Sequence, residues 1–445
     1  MSRRYFGTDG VRGRVGEPPM TVDFALRLAS ATARVLAPGG GTVLIGKDTR
    51  LSGYMFEAAL EAGFTAAGTN VLLAGPLPTP AVAYLCGTLG ADFGIVISAS
   101  HNLYHDNGIK IFAAGGEKLS DAEEAAIEAL LEEPPLTLES VALGTARRVD
   151  HARVDYQDFC KALVPSGTSL AGFKLVVDCA HGAAYKVAPR VLAELGAEII
   201  PIGCSPNGRN INQGCGSTEP ELLATTVTGV GARLGVALDG DGDRCVLVDE
   251  QGQVVDGDQL LYVLARDAQA RGELRGPVVG TVMSNLGLEQ ALGELGIPFM
   301  RASVGDRSVM AMLKEHHGQL GGETSGHIIN LAKTSTGDGL ATALQILAVM
   351  QNTGEALSTL VAGMPRLPQV MINVKVARRI DVDASPEIRA DQRAVEVELG
   401  DRGRVVLRAS GTEPVIRVMV EAEDDAEAQA LAERLAATVQ AAARH

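Results

Sequence analysis

The feature that most constrains the fold is a plan that occurs three times along the chain, in which a polar loop separates two short apolar segments. In the first copy, the apolar segment 93–97 precedes the polar loop Ser98–Lys110, and two further apolar residues follow it. The second copy carries the loop Asp239–Arg244, and the third carries the loop Gly321–His327. Short apolar runs bounded by polar and glycine-rich residues are typical of buried strands. We therefore predict three α/β units of one plan, whose polar loops meet in one cleft.

The segments between these loops alternate between helical and strand periodicity. Residues 22–37 have the spacing of an amphipathic helix, residues 42–46 read as a buried strand, and similar pairs follow in each unit. The tail differs, because several strand patterns precede one alanine-rich helix at 424–443. This pattern predicts an α/β fold with three related α/β domains, each with a mixed sheet, and a smaller α+β C-terminal domain around a central cleft. We place the domains at residues 1–152, 153–254, 255–366 and 367–445.

The charge balance excludes one class of partner. The chain has 445 residues, with 39 lysines and arginines against 54 aspartates and glutamates, which gives a formal charge of −15. Such a charge argues against nucleic acid as the main partner, and an anionic small substrate would need a local group of basic residues. No apolar run approaches the length of about 18 residues that a membrane helix needs, so we expect no membrane partner. The six cysteines are scattered without a Cys-x-x-Cys pair, which favours buried thiols in a reducing cytoplasm over disulfides or a zinc site.

The loop Ser98–Lys110 is the first candidate site. It brings together a serine hydroxyl, two imidazoles, a carboxylate and an ammonium group, with Ser100, His101 and Lys110 among them. This composition suits phosphate chemistry better than it suits packing. The alternative is an ordinary turn, because Asn107-Gly108 between apolar runs is a hairpin signal. From this loop alone, both interpretations stay open.

The segment Asp239–Arg244 gives a stronger signal. The carboxylates of Asp239, Asp241 and Asp243 would repel one another, and the glycines between them cost backbone entropy. A divalent cation removes this conflict, since carboxylate oxygens are the ligands that Mg²⁺ prefers. The alternatives are a solvated acidic turn and an EF-hand calcium loop. The EF-hand is excluded because Arg244 stands where that loop needs a glycine.

A basic segment near the C-terminus suits a phosphate group. It combines guanidinium groups, hydroxyls and a glycine whose backbone N–H can approach an anion. Its candidate residues are Arg408, Ser410, Gly411, Thr412 and Arg417. A surface turn flanked by arginines is the alternative, although a chain of charge −15 needs some cationic pocket of this kind if it recognises phosphate.

The third polar loop suits a sugar. Glu323 and Ser325 offer a carboxylate and a hydroxyl that can bind vicinal hydroxyl groups, and His327 offers an imidazole for proton transfer. By itself this loop could be an ordinary one, because a single histidine after glycine is a weak signal. The same holds for four other polar sites, which are Arg12, Lys47, Arg50 and the turn 304–307.

Taken in this order, the loops resemble those of the α-D-phosphohexomutase superfamily. The correspondence covers residues 6–13, 98–110, 239–244, 322–327 and 408–417, a set of motifs spread over essentially the whole chain. The sequence is most similar to the bacterial branch of that superfamily that acts on glucosamine phosphates, mainly through Gly-Thr-Asp-Gly-Val-Arg-Gly, Gly-Glu-Thr-Ser-Gly-His and Arg-Ala-Ser-Gly-Thr-Glu-Pro. The resemblance implies four domains around a central cleft, of which the fourth is mobile.

The resemblance also implies roles for the site residues. Ser100 would carry a phosphate, and Ser100 would hold Mg²⁺ together with Asp239, Asp241 and Asp243. Arg244 would lie near the transferring phosphoryl group, which Arg12, His101 and Lys110 would surround, with Lys110 as a candidate general base. Glu323 and Ser325 would bind the sugar hydroxyls, and His327 would be a second acid/base candidate. The phosphate that does not react would be bound by Arg408, Ser410, Gly411, Thr412 and Arg417.

The reaction implied is the interconversion of glucosamine 6-phosphate and glucosamine 1-phosphate, with glucosamine 1,6-bisphosphate as intermediate and activator. A phosphomannomutase or phosphoglucomutase of the same superfamily is the nearest alternative, and a non-catalytic sugar-phosphate binding protein is a second. A serine hydrolase is disfavoured, because no Gly-x-Ser-x-Gly elbow surrounds Ser100 and the three aspartates would have no role. The sequence does not fix the oligomeric state, and a homodimer is compatible with it. Leu103 stands where the family loop usually has proline, a change that loosens a turn but removes no reactive group.

Overall fold

The computed structural model describes residues 4–7, 9–376, 382, 384–409 and 415–443. Within these residues the chain forms four β-sheets, each flanked by helices. None of the described helices combines the length and the hydropathy that crossing a bilayer requires.

The first sheet has six strands in the order β1-β5-β4-β2-β3-β6. Its strands are β1 (Val11–Arg14), β2 (Gly41–Lys47), β3 (Thr69–Pro76), β4 (Phe93–Ile97), β5 (Asp106–Ala113) and β6 (Ala146–Arg148). Its helices are α1 (Val22–Leu36), α2 (Ser52–Ala66), α3 (Thr79–Thr88) and α4 (Asp121–Leu130), and a 3₁₀ turn lies at Ser140–Ala142. Four neighbouring strands of this sheet, β4, β2, β3 and β6, are parallel to one another. Strand β5 runs antiparallel to both β4 and β1, so the sheet is mixed.

The second sheet has five strands in the order β11-β10-β9-β7-β8. Its strands are β7 (Lys174–Asp178), β8 (Glu198–Ile202), β9 (Leu234–Leu238), β10 (Cys245–Val248) and β11 (Val254–Val255). The helices of this part are α5 (Ala152–Ala162), α6 (Ala188–Glu194) and α7 (Glu221–Val230), with a 3₁₀ turn at Ala183–Lys186. Strand β9 is parallel to β7 and antiparallel to β10.

The third sheet has four strands in the order β13-β12-β14-β15. Its strands are β12 (Val278–Thr281), β13 (Phe299–Ala302), β14 (Leu320–Gly322) and β15 (Ile328–Asn330). Its helices are α8 (Gly257–Ala270), α9 (Leu286–Glu294), α10 (Asp306–Glu315), α11 (Gly339–Thr353) and α12 (Leu357–Val361).

The fourth sheet is antiparallel and smaller, with the order β16-β18-β17. Its strands are β16 (Gln369–Lys375), β17 (Arg404–Ala409) and β18 (Val415–Glu421), and its helices are α13 (Pro386–Leu399) and α14 (Asp425–Ala442), with a 3₁₀ turn at Gly400–Arg402. The predicted fold class, three α/β domains followed by a smaller α+β domain, is confirmed.

Burial and capping explain why these elements form. Every residue of β4 and of β9 is buried, as expected of central strands covered by helices on both faces. Helix α4 begins at a capping box, in which Ser120 accepts the N–H of Glu123 and the Glu123 side chain accepts the N–H of Ser120. The largest apolar core runs continuously through the first three sheets, whereas the fourth sheet has a core of its own.

The three polar loops meet, as the sequence predicts. Each one joins two antiparallel strands, namely β4 to β5, β9 to β10 and β14 to β15. Backbone hydrogen bonds then join the neighbouring units, from Thr79 N to Asp241 O at 2.8 Å and from Cys245 N to Gly326 O at 3.0 Å. The second loop therefore lies between the first and the third, at the centre of the cleft.

Two details differ from the sequence-based expectation. Asn107 and Gly108 lie inside β5, opposite Gly13 and Arg12 of β1, and form no turn. The glycine is needed for close approach, because a Cβ at residue 108 would lie 2.5 Å from Ser98 O. The spacing of apolar residues over 183–195 predicts one helix, but the structure has a 3₁₀ turn followed by α6. Pro189 lies in the first turn of α6, where the missing N–H costs nothing.

Candidate active site

Ser100 lies directly beyond β4, in the strained backbone region that favours glycine, with φ of 51°. Its side chain is almost fully buried, and its hydroxyl donates a hydrogen bond of 2.6 Å to Asp239 Oδ2. The Nδ1 atom of His101 is 3.4 Å from the same hydroxyl oxygen. A strained residue at a polar loop is typical of functional sites, because surrounding contacts must hold it there.

The three aspartates of the second loop form one buried cluster. One oxygen from each of the three carboxylates lies within 4.8 Å of the other two. Burial, and then the charges of Asp243 and Asp241, raise the pKa of Asp239 well above its usual value. One oxygen of Asp241 and one of Asp243 are buried without a hydrogen-bond partner. An oxygen-only cluster with unpartnered buried carboxylates fits a hard divalent cation such as Mg²⁺.

A ring of alternating charges surrounds this cluster. The Lys110 ammonium is 2.9 Å from Asp9 and 3.3 Å from Asp243, and it donates to Asp241 at 2.8 Å. Lys118 bridges Asp9 at 2.6 Å and Asp306 at 2.5 Å. His327 closes the ring, with one ring nitrogen 3.7 Å from Asp306 and the other 3.8 Å from Asp243. Buried charges are tolerated when each one faces the opposite sign, as it does here.

The surrounding charges fix the protonation of three candidate acid/base groups. Burial opposes the charge of Lys110, but the three carboxylates outweigh burial and raise its pKa well above the ordinary value. Burial is likewise outweighed at His327, where Asp243, Asp306 and Glu323 raise the pKa to about 9. Burial and the cations Arg244 and Arg12 lower the pKa of His101 to about 4. At neutral pH, Lys110 and His327 are therefore cations, and His101 is neutral.

These loops open onto a cleft of about 520 Å³. The predicted site residues that line it include Arg12, His101, Arg244, Glu323 and His327, together with Arg408 and Arg417 from the fourth sheet. Asp243 also lines the cleft, whereas Ser100, Lys110, Asp239 and Asp241 are buried. Ser325 lies on the same loop as Glu323 and is exposed. Ser410, Gly411 and Thr412 lie outside the described residues.

Arg408 and Arg417 face each other across β17 and β18. Two guanidinium groups directly opposite on antiparallel strands repel one another unless an anion lies near both. Both side chains line the cleft, so their arrangement suits a phosphate group, as the sequence predicts.

Three residues of the site were not assigned by the sequence reasoning. Asp9 lies inside a motif that the sequence analysis quoted, without a role of its own, and Asp306 lies in a turn that it noted only with caution. Lys118 carries no local motif at all. The ring that joins them is formed by residues from the first three units, and such contacts leave no local sequence pattern.

Comparison with known proteins agrees with this arrangement. Four family models match in chain order, and all are described as phosphoglucomutase/phosphomannomutase: alpha/beta/alpha domain I at residues 3–136, domain II at 155–252, domain III at 256–367 and the C-terminal domain at 371–438. The phosphoglucosamine mutase of Alkalilimnicola ehrlichii is 56% identical over 99% of this chain and 98% of its own length. The phosphoglucosamine mutase of Aeromonas hydrophila is 56% identical over 99% of this chain and 100% of its own.

Solved structures share the fold over the whole chain. A phosphoglucomutase/phosphomannomutase family protein from Burkholderia thailandensis is 24% identical, with a TM-score of 0.81 and coverage of 98% of this chain and 97% of that one. The N-acetylphosphoglucosamine mutase of Aspergillus fumigatus, solved with GlcNAc-6P and magnesium, is 19% identical, with a TM-score of 0.71 and coverage of 99% and 96%. Its likeness concerns the fold alone. From the four matched domains and the full-length identity, the chain belongs to the phosphoglucomutase/phosphomannomutase family of the α-D-phosphohexomutase superfamily.

Proposed function

We propose that this chain is a phosphoglucosamine mutase, which interconverts glucosamine 6-phosphate and glucosamine 1-phosphate through a phosphorylated Ser100. The choice of sugar follows the relatives of that name, which are 55–56% identical over nearly the full chain. The observation that carries the chemistry is the contact between the Ser100 hydroxyl and Asp239, beside carboxylate oxygens that lack partners. We place the enzyme in the cytoplasm, where the six free cysteines would stay reduced.

In the proposed reaction, a phosphoryl group passes from Ser100 Oγ to O1 of glucosamine 6-phosphate. The bond between Ser100 Oγ and phosphorus breaks, and a bond between O1 and phosphorus forms, which yields glucosamine 1,6-bisphosphate. The bisphosphate then turns over in the cleft and returns its 6-phosphoryl group to Ser100. Transfer of this kind depends mainly on positioning and on offsetting the phosphoryl charge.

The side chains around Ser100 suit these two tasks. Arg12, Arg244 and the Lys110 ammonium supply positive charge where the phosphoryl oxygens would lie. Ser100, Asp239, Asp241 and Asp243 would hold Mg²⁺, which neutralises charge on a phosphoryl group when bound.

A proton must also leave the attacking sugar hydroxyl. Of the three candidate groups, only His101 is neutral at pH 7 and can accept a proton without first losing one. His327 is an imidazolium and suits proton donation or charge stabilisation. The base role that the family resemblance implies for Lys110 would require its ammonium to lose a proton, which Asp9, Asp241 and Asp243 oppose.

The rest of the cleft would hold the sugar. We assign the sugar hydroxyls to Glu323 and Ser325, and the phosphate that does not react to Arg408, Ser410, Gly411, Thr412 and Arg417. The bisphosphate must reorient without escaping, so the domain at 367–445 would close over it. That domain contacts the start of α9 through buried Glu421, which accepts the Leu286 N–H at 3.1 Å. It contacts the residue after β12 through Arg404, which donates to Val282 O at 2.9 Å.

A coupled assay with Mg²⁺ and a trace of glucosamine 1,6-bisphosphate tests the proposal. Glucosamine 6-phosphate is compared with mannose and glucose phosphates, and Ser100→Ala serves as the control. We expect a clear preference for the amino sugar and no turnover by the variant. Preference for mannose or glucose phosphate would keep the chemistry and replace the substrate, whereas turnover by Ser100→Ala would refute the role of Ser100.

A further inference from the structure

One buried arginine binds the backbone of the loop that carries Ser100. Arg50 lies just beyond β2, and its side chain is completely shielded from solvent. Its guanidinium donates to four carbonyl oxygens of this loop, those of Ser100 at 3.0 Å, Asn102 at 2.7 Å, Asp106 at 3.1 Å and Leu103. The remaining N–H, on Nε, donates to Asp48 at 2.7 Å. All five donors of the guanidinium are thus used, and four of them bind one loop.

A second residue binds two of the same carbonyl groups from the neighbouring unit. The Nδ2 atom of Asn212, also buried, donates to Ser100 O at 2.8 Å and to Asn102 O at 2.9 Å. Asn212 itself has a φ of 57°, a conformation that asparagine tolerates better than most residues. Its backbone N–H donates to Ala180 O at 2.9 Å, which anchors it to the loop that follows β7 of the second sheet.

Asp48 extends this support to the other side of Ser100. It accepts the Ser98 hydroxyl at 2.6 Å, and the Ser98 oxygen in turn accepts the backbone N–H of Ser100 at 2.9 Å. The N–H of Ser100 is therefore held by Ser98 and Asp48, and its carbonyl is held by Arg50 and Asn212. The strained backbone of Ser100 needs such support, because an unsupported loop would relax from φ of 51° to an ordinary conformation.

From these contacts we infer that Arg50 and Asn212 are positioning residues, which set the direction of the Ser100 side chain for phosphoryl transfer. The inference rests on the proposed function, since it assumes that Ser100 is the residue phosphorylated. A proline at residue 103 would stiffen the turn through its fixed φ. In this chain, which has leucine there, the bond from Arg50 to the backbone carbonyl of Leu103 still holds the turn.

The two residues are expected to affect rate rather than substrate affinity. Arg50 is too deeply buried to contact a sugar phosphate, and neither residue lines the cleft. Both directions of transfer use the same Ser100 geometry, so both half-reactions should slow together. A displacement of about 1 Å in a reacting group can cost about 100-fold in rate.

The test uses Arg50→Lys and Asn212→Gly in the full-length enzyme. Lysine keeps the charge beside Asp48 but has three donors in place of five, and glycine keeps the positive φ but removes the amide. The matched control is Leu28→Ala, which leaves a cavity in the core of the same domain, on α1 where that helix packs against α2 and α4. Each protein is assayed well below its own unfolding midpoint, for kcat, for KM and for the single-turnover rate of Ser100 phosphorylation by glucosamine 1,6-bisphosphate.

We expect kcat and the phosphorylation rate to fall together, about 100-fold in Arg50→Lys and about tenfold in Asn212→Gly, with KM nearly unchanged. The control should lose thermal stability and keep its kcat. Wild-type phosphorylation of Ser100 combined with variants whose rates match the control would overturn this inference alone. Absence of phosphate on wild-type Ser100 would instead overturn the proposed function on which it rests. Asn212→Gly keeps the test decisive if Arg50→Lys does not fold.

Discussion

Replacing Asp239 by asparagine should stabilise the metal-free protein, although it removes a group at the centre of the site. One oxygen from each of the three clustered carboxylates lies within 4.8 Å of the other two. Two unit charges at that separation repel by about 3 kcal/mol at an effective dielectric constant of about 20. Lys110 offsets much of the charge of Asp241 and Asp243, because it lies 2.8 Å and 3.3 Å from them. We therefore expect a net gain in the free energy of unfolding of about 1–2 kcal/mol.

The replacement keeps the local hydrogen bonds, which makes the comparison clean. Asp239 accepts the Ser100 hydroxyl at 2.6 Å and the Arg244 N–H at 3.2 Å. An asparagine oxygen can accept the second bond, and the serine hydroxyl can reverse its role and accept from the amide. The effect of Asp239→Asn should then be that of the charge alone.

The assay is urea unfolding in EDTA and in Mg²⁺, for wild type and variant. The pKa of Asp239 is raised in the folded protein. The free energy of unfolding of the wild type should therefore fall as the pH rises above the ordinary carboxyl pKa, because the folded state then loses the favoured protonated form. The variant should lack this part of the pH dependence. Mg²⁺ should stabilise the wild type, by about 2.7 kcal/mol at 100 times its dissociation constant, and the variant less. A variant less stable than wild type in EDTA would refute the claim that these carboxylates repel one another.

Three further outcomes follow from the same contacts. Arg408→Ala and Arg417→Ala should each raise KM for the sugar phosphate about 10- to 100-fold with a smaller change in kcat, because a charged hydrogen bond contributes about 1.5–3 kcal/mol. Steady-state kinetics measures both constants, and an unchanged KM would exclude a phosphate site there. Activity should decline as pH rises through about 9, where His327 loses its proton, and the pH profile of His327→Gln should lack that limb. Glu421→Gln should destabilise the contact with Arg404 by about 2–3 kcal/mol, measured by unfolding, and an unchanged midpoint would contradict the importance of this contact.

Local motifs were predictable from the sequence, and contacts between units were not. The three aspartates lie within five residues, so their conflict of charges was visible before any fold was known. The dipeptide Asn107-Gly108 indicated a turn that does not form, because the same dipeptide also suits a strand that passes close to Ser98 O. The bond from Asn212 to the Ser100 carbonyl depends on how two α/β units pack together, and no periodicity in the sequence records that packing.

The bonds to Arg50 illustrate a second limit. In the sequence, an arginine that follows a predicted strand can be a surface residue, a salt-bridge partner or a structural anchor. Only the four loop carbonyl groups around the Arg50 guanidinium distinguish these cases. Likewise, only the contacts of Lys118 with Asp9 and Asp306 place this lysine in the site.

The most direct test of the account follows one phosphoryl group by peptide mass spectrometry. The protein is incubated with glucosamine 1,6-bisphosphate and Mg²⁺, freed of ligand, and then mixed with glucosamine 6-phosphate. The account predicts that the phosphate is found on Ser100 after the first step and leaves it in the second, with formation of the sugar bisphosphate. Phosphate on another residue, or turnover that persists in Ser100→Ala, would contradict the central claim.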